Sequence, residues 1–226
     1  MIMKRASYSG SCNLGWMRRL VLLLMVGLVA ACGGSSGPTG PTAASVAAQS
    51  GDMPKGMLKC DLSGDIQTFI HKEQSPDPST SKTAANQWTD LQKGGATSAY
   101  VAIFTDSKTH CGDFASARTD PAAANYKLVV NFVVQFKDEK SAASTYANSS
   151  IFGVSASSLR ASGSQAIEGT KTGLTANSVV VSQAIATQTF YIGLWQSKAF
   201  AMFLAVVNVD PVASKKIATS ENSRIG

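Results

Sequence analysis

The chain has 226 residues, of which 44% are hydrophobic and only 15% charged, a low charge content for a cytosolic domain. Four of its 20 basic residues, Lys4, Arg5, Arg18 and Arg19, precede Cys32 and no acidic residue does, so the formal charge of +6 falls to about +2 beyond that point, 16 basic side chains against 14 acidic. No dense Lys/Arg cluster remains there, which argues against electrostatic nucleic-acid binding.

The basic residues Arg18-Arg19 are followed by a 12-residue run from Leu20 to Ala31. A positive patch, a short apolar run and small residues before a cut site make a secretory signal. Spanning a bilayer core takes about 20 apolar residues, so a permanent transmembrane helix does not fit. Leu28-Val29-Ala30-Ala31-Cys32 resembles the lipobox of bacterial lipoproteins. The resemblance implies that diacylglycerol, and then a further acyl chain such as palmitate, is attached to Cys32, with cleavage leaving Cys32 first. Two or more acyl chains, at roughly 0.8 kcal/mol per buried methylene, anchor a protein stably. The expected address is the extracytoplasmic side of the cell membrane. The rival is ordinary cleavage after Ala31, which releases a soluble secreted protein. Translation from Met17 and twin-arginine export both stay open, the apolar run favouring the general secretory route.

Residues 32–56, with Gly, Ser, Pro and Ala prominent, read as a flexible linker that buries too little apolar surface to order itself. Such a chain spans roughly 25–30 Å on average. A short helix over Ala43 to Gln49 is the alternative within it.

Residues 57–226 are enough for a single globular domain. Leu62, Ile66, Phe69 and Ile70 recur at helical spacing, with Asp65 at the start and His71-Lys72 near the end, as the helix dipole prefers. Gln74 to Lys82 reads as a polar loop. Ala84, Trp88 and Leu91 then predict a second short helix, stopped by Gly94-Gly95. Ser98 to Phe104 predicts a strand. Lys127 to Phe136 is the clearest one: Leu128, Val130, Phe132, Val134 and Phe136 share one face, and Val129, Asn131, Val133 and Gln135 the other. Asp138 to Ala147 reads as a helix, and residues 153–176 as irregular. Strands follow at Ser178 to Gln183, Thr189 to Gln196 and Phe200 to Val209, the last two joined by a turn over Gln196-Ser197-Lys198-Ala199. Pro211 to Ser220 closes as a helix, with proline in its first turn.

Two passages share a layout, a long strand running into Asp138 or Asp210 and then a helix. Hairpin-joined strands with helices at their ends predict an α+β fold, a mainly antiparallel sheet with helices packed on one or both faces. A doubly wound parallel sheet would need helices between most strands.

Phe132-Val133-Val134-Gln135-Phe136 before an Ala-rich helix, with Phe200 to Val209 leading into Ile217-Ala218 and Ser223-Arg224-Ile225, resembles the PsbP-like and PknH-sensor-like group of exported sensor-type domains. The resemblance, over about Lys127 to Ile225, implies a small envelope domain that binds a ligand or partner and transfers no catalytic residue.

Cys12 leaves with the signal and Cys32 takes lipid. Cys60 and Cys111 remain, an even pair for an oxidising compartment, and a Cys60–Cys111 disulfide is expected. A Cys60, His71, His110 and Cys111 zinc site is the sharper alternative, but adjacent His110-Cys111 suits tetrahedral chelation poorly. No metal or cofactor is expected.

Ser79-Thr80-Ser81-Lys82, Lys171-Thr172-Gly173 and Ser220-Glu221-Asn222 match fragments of the penicillin-binding signature. Their order along the chain is wrong, and the serine falls in a polar loop. Asp138-Glu139 reads as a solvated helix start rather than a glycosidase pair. No catalytic residue is assigned. Trp88, Tyr191 and Trp195 could line a ligand pocket, although such residues more often form core.

These observations favour a non-catalytic lipoprotein that binds a small ligand or senses the envelope, which requires an apolar pocket with a few convergent polar groups. A structural or partner-binding lipoprotein requires an exposed apolar patch. An enzyme of unfamiliar type requires a cleft with displaced pKa values.

Overall fold

In a computed structural model of the chain, which describes residues 40–116, 124–162 and 165–226, the alternating stretch Leu128–Phe136 is a strand covered on both faces. Leu128, Val134 and Phe136 enter one hydrophobic core. Val129 and Val133 enter another. Cys12, Cys32 and the segment read as a secretory signal lie outside the described residues.

The helices are α1 (Ala43–Val46), α2 (Ile66–Glu73), α3 (Pro78–Lys93), α4 (Lys108–Ala115), α5 (Glu139–Asn148), α6 (Ala156–Arg160) and α7 (Pro211–Ser223). The strands are β1 (Leu58–Lys59), β2 (Gly64–Asp65), β3 (Ala96–Thr105), β4 (Leu128–Phe136), β5 (Ala166–Glu168), β6 (Ser178–Ile185), β7 (Gln188–Ser197) and β8 (Phe200–Val207). They form a single sheet in the order β1-β3-β4-β8-β7-β6-β5, with β2 also paired to β3. Every pairing is antiparallel. The fold is therefore α+β, as the pattern of elements predicted.

On the first face the sheet carries α2, α3, α5 and α6 through Phe69, Trp88, Leu91, Ala142, Tyr146 and Leu159. On the second it carries α1 and α7 through Val46, Ile217 and Ala218. Covering both faces explains why β8, Phe-Ala-Met-Phe-Leu-Ala-Val-Val, is apolar almost throughout.

The two strand–Asp–helix passages diverge in space. Asp138 and Asp210 both cap their helices, accepting from Ser141 and Ala213 backbone N–H groups. One residue, Lys137, separates β4 from its cap, whereas Asn208 and Val209 separate β8 from its own. Side chains alternate between faces along extended chain. The extra residue, with Asn208 in the left-handed region at φ 57°, sends α7 to the face opposite α5.

Several local expectations need correction. The polar loop read over Gln74 to Lys82 is largely the first turns of α3, because Asp77 accepts from the Thr80 N–H and Pro78 occupies the first turn. This is a standard start signal: a carboxylate satisfies an orphan donor, and proline there lacks only an N–H without an intrahelical partner. Ser79 and Lys82 are consequently exposed residues of a helix start. The irregular stretch 153–176 contains α6, β5 and a 3-10 turn at Gly169–Thr172. The turn between β7 and β8 is two residues, Lys198-Ala199, with Ser197 paired to Phe200.

The larger correction concerns the linker. The folded unit begins at Gly40 rather than Met57. Ala43, Val46, Ala47 and Ala48 are all buried against the second face of the sheet. Small side chains let this backbone lie close to β3 and β4. Its polar groups find partners that composition does not announce: the Ala48 N–H donates to Asn131 Oδ1 at 2.9 Å, and Arg224 donates to the Val46 and Ala47 carbonyls at 3.1 and 3.0 Å.

Candidate functional site

The turn after β1 is tied to α4 by the Cys60–Cys111 disulfide, whose Cα atoms are 5.4 Å apart. Ser107 caps α4 by accepting from the His110 N–H. Cys111 thereby faces β3, with its Sγ 3.2 Å from Thr105 Oγ1. On the other side, Asp65 starts α2 by accepting from the Gln67 and Thr68 N–H groups. Its hydrogen bonds, led by the one from the Thr68 hydroxyl, hold its carboxyl below the usual range. These caps and the cross-link fix the walls of a cleft of about 470 Å³ among β1, the end of α2 and α4.

Leu58, Leu62, Pro76 and Ala115 supply apolar lining, the two cysteines a sulfur wall, and Lys72 and Lys108 the cations. Asp61 is the carboxylate of the lining. Lys72 donates to the Asp61 backbone carbonyl. Lys59 lines the cleft but turns its ammonium to the other face of the sheet, where it donates to the Tyr100 hydroxyl at 2.9 Å and lies 5.0 Å from the ring centroid. Lys108 opens α4 and is exposed. The cleft can therefore offer ammonium donors and a partly apolar floor to an acidic group. A second cavity, about 270 Å³, lies between α3 and α5 and is lined by Gln87, Asp90, Thr145, Ser149 and Ser150 among others.

The aromatic residues singled out from sequence line neither cavity. Trp88 sits under α3 in the first core, and Tyr191 and Trp195 sit on β7 in the second. The sheet lies between them, so no single pocket can use all three. Gly193 separates Tyr191 from Trp195, and a Cβ there would meet the Trp195 ring at 3.4 Å and the Tyr191 ring at 3.5 Å. All three aromatics are structural core.

With their sulfurs joined, Cys60 and Cys111 offer no thiolates to zinc. His110 stacks on Tyr126 at 4.1 Å and contacts Asp106 Oδ1 through Nδ1 at 2.5 Å. Among the described residues no group of three or more His, Cys, Asp and Glu side chains is placed to hold a metal. Among the described residues, too, no helix is long and apolar enough to cross a membrane.

Sequence reasoning missed a buried polar cluster on the second face. Glu221 of α7 is fully buried. Both its carboxylate oxygens accept from Asn131 Nδ2, at 2.9 and 3.0 Å. Asn131 Nδ2 also donates to the Phe203 carbonyl at 3.1 Å. The one available signal was the polar Asn131 within an otherwise apolar strand. On the first face, Glu73 is likewise buried, and burial, reinforced by the Asp77 carboxylate, pushes its carboxyl up to about 7.

No family model matches the chain, and no curated protein matches it. Among solved structures it is similar to the extracellular domain of PknH from Mycobacterium tuberculosis, at 10% identity and a TM-score of 0.40, over 76% of this chain and 84% of that one.

Proposed function

We propose that this protein is a non-catalytic ligand-binding module, held on the outer side of a membrane by lipid on Cys32, and that its disulfide-walled cleft takes a small molecule carrying an anionic group. The observation that carries the reading is the meeting of Lys72 and Lys108, from α2 and α4, at one cleft of about 470 Å³. That volume lies within the usual range for small-molecule sites, roughly 300–1,000 Å³. The cleft is more charged than the apolar pocket expected from sequence, which moves the ligand class from an apolar to an acidic metabolite. The lipobox-like Leu28–Cys32 supports the anchor, and the Cys60–Cys111 cross-link is in keeping with an oxidising compartment.

The structural or partner-binding alternative has less to rest on. Among the described residues the large exposed apolar side chains are Ile167, Ile185 and Val212, on β5, β6 and α7. A docking patch needs a contiguous surface of several hundred Å².

Thermal denaturation against a panel of phosphates, carboxylates and neutral analogues tests the reading. A ligand present at about 100 times its Kd stabilises by about 2.7 kcal/mol. The expected result is a raised Tm with acidic compounds that disappears in a Lys72→Glu, Lys108→Glu variant. No shift with any acidic compound removes the cleft as the site. The anchor is tested separately: Cys32→Ser should move the protein from the membrane to the soluble fraction.

A further inference from the structure

The segment from Gly40 to Asp52 lies across the second face of the sheet as a strap, and two clusters hold it. At one, Arg224 donates from Nε to the Val46 carbonyl, from Nη2 to the Ala47 carbonyl, and from both Nη atoms to the Asp52 carboxylate at 3.1 and 2.9 Å. At the other, the Ala48 N–H donates to Asn131 Oδ1, and the amide nitrogen of the same side chain donates to Glu221. One asparagine thus joins the strap's backbone to a buried carboxyl of α7.

The charges in this region do not balance when Glu221 is ionised. The strap contributes Asp52, and α7 contributes Glu221 together with its capping residue Arg224. The sheet contributes the neutral Asn131 and the buried Tyr191 phenol, whose pKa burial and then the Glu221 charge drive upward. Lys215 and Lys216 of α7 are exposed to solvent. Arg224 directs its hydrogen bonds to Asp52 and the strap carbonyls. Among the described residues an ionised Glu221 therefore has the Asn131 amide as its hydrogen-bond donor, while the attraction of Arg224 is opposed by the repulsion of Asp52, and buried charge so weakly compensated is costly. Burial pushes its carboxyl up to about 8.

We propose that residues 40–52 are a proton-linked strap, closed on the sheet while Glu221 is neutral and opening as a unit in step with loss of the Glu221 proton. Opening admits water to Glu221 through the Asn131 side and breaks the Arg224–Asp52 clamp. It uncovers Ala102, Phe104, Val129 and Val133, the part of β3 and β4 in the second core. The inference does not depend on what occupies the cleft on the opposite side of the sheet.

The test is amide hydrogen exchange of the full chain from about pH 5 to pH 9, with each rate divided by its intrinsic value. One linked proton changes an equilibrium about tenfold per pH unit between the two pKa values. Protection of the strap amides, that of Ala48 above all, should fall at about that rate up to roughly pH 8 and then level off. The β4 and β8 amides should remain protected. Glu221→Gln should give a flat profile. Should that variant fail to fold, Asp52→Asn decides: it weakens the clamp without touching Glu221, so strap protection drops throughout and keeps the slope. A flat wild-type profile, a slope that persists in Glu221→Gln or vanishes in Asp52→Asn, or strap and sheet amides exchanging together would each overturn the proposal.

Discussion

Arg224 and Asp52, 172 residues apart in the chain, are joined by two parallel hydrogen bonds of 3.1 and 2.9 Å. Their side chains are only 23% and 10% exposed. A planar guanidinium can hold this carboxylate from two nitrogens while its remaining donors reach the Val46 and Ala47 carbonyls. A lysine ammonium cannot reproduce that fork. Arg224→Lys should cost about 2 kcal/mol, the scale of partly buried charge-assisted hydrogen bonds. Urea unfolding checks this: the midpoint should drop.

Stability should have an acidic optimum. Glu73 and Glu221 have carboxyls raised from 4.5 to about 7 and about 8, in both cases chiefly by burial. The folded state binds these protons more tightly than the unfolded chain. Their contribution is complete below about pH 4.5 and is lost as pH rises to about 8. Asp65, Asp77 and Asp138 act in the opposite sense. Hydrogen bonds from Thr68, Thr80 and Ser141 respectively lower their carboxyls, so their contribution is lost as pH falls. Denaturation midpoints should peak at about pH 5. The decline above that should flatten in a Glu73→Gln, Glu221→Gln double variant.

Removing the cross-link should cost about 4 kcal/mol in the chain-entropy model, since Cys60 and Cys111 are 51 residues apart. Cys60→Ser, Cys111→Ser shows the loss as a lower midpoint in guanidinium. Thiol titration of the denatured, non-reduced wild type should leave both of these cysteines unreactive. The same variant should weaken any ligand bound in the cleft, because the disulfide fixes α4 against β1.

The aromatic residues should behave as core. Among the described residues the buried Tyr191 hydroxyl and Trp195 indole nitrogen have no hydrogen-bond partner. Tyr191→Phe removes an uncompensated polar atom and should be neutral or stabilising by up to about 1 kcal/mol. Trp88→Ala leaves a cavity under α3 and should cost about 4 kcal/mol. Equilibrium denaturation of both variants tests the pair. Tyr191→Phe should also leave the response to acidic ligands unchanged.

The parts of this fold legible from sequence are those whose signals are local. Strand β4 announces itself by alternation, and both of its faces are where that alternation put them. The helices after Asp138 and Asp210 follow from an acidic cap and, for the second, from Pro211. The start of α3 was equally available in Asp77-Pro78, but the polar run after it masked the signal. What could not be read is long-range. Ala43 to Ala48 look like spacer because alanine carries little hydrophobic weight, and only Asn131 and Arg224 make that backbone buriable. Two-residue strands such as β1 have no periodicity to detect. The cleft depends on two lysines from separate elements, Lys72 of α2 and Lys108 of α4, and no spacing rule brings them together.

The strap also sets a constraint on assembly. Chains emerge amino end first, so Val46 and Asp52 are made well before the residues that clamp them. Until Glu221 and Arg224 arrive, the strap has Asn131 and the apolar side chains of β3 and β4 to hold it, without the clamp. Clamping of the earliest described segment is thus a late event, and a nascent molecule that has completed it has already put α7 in place.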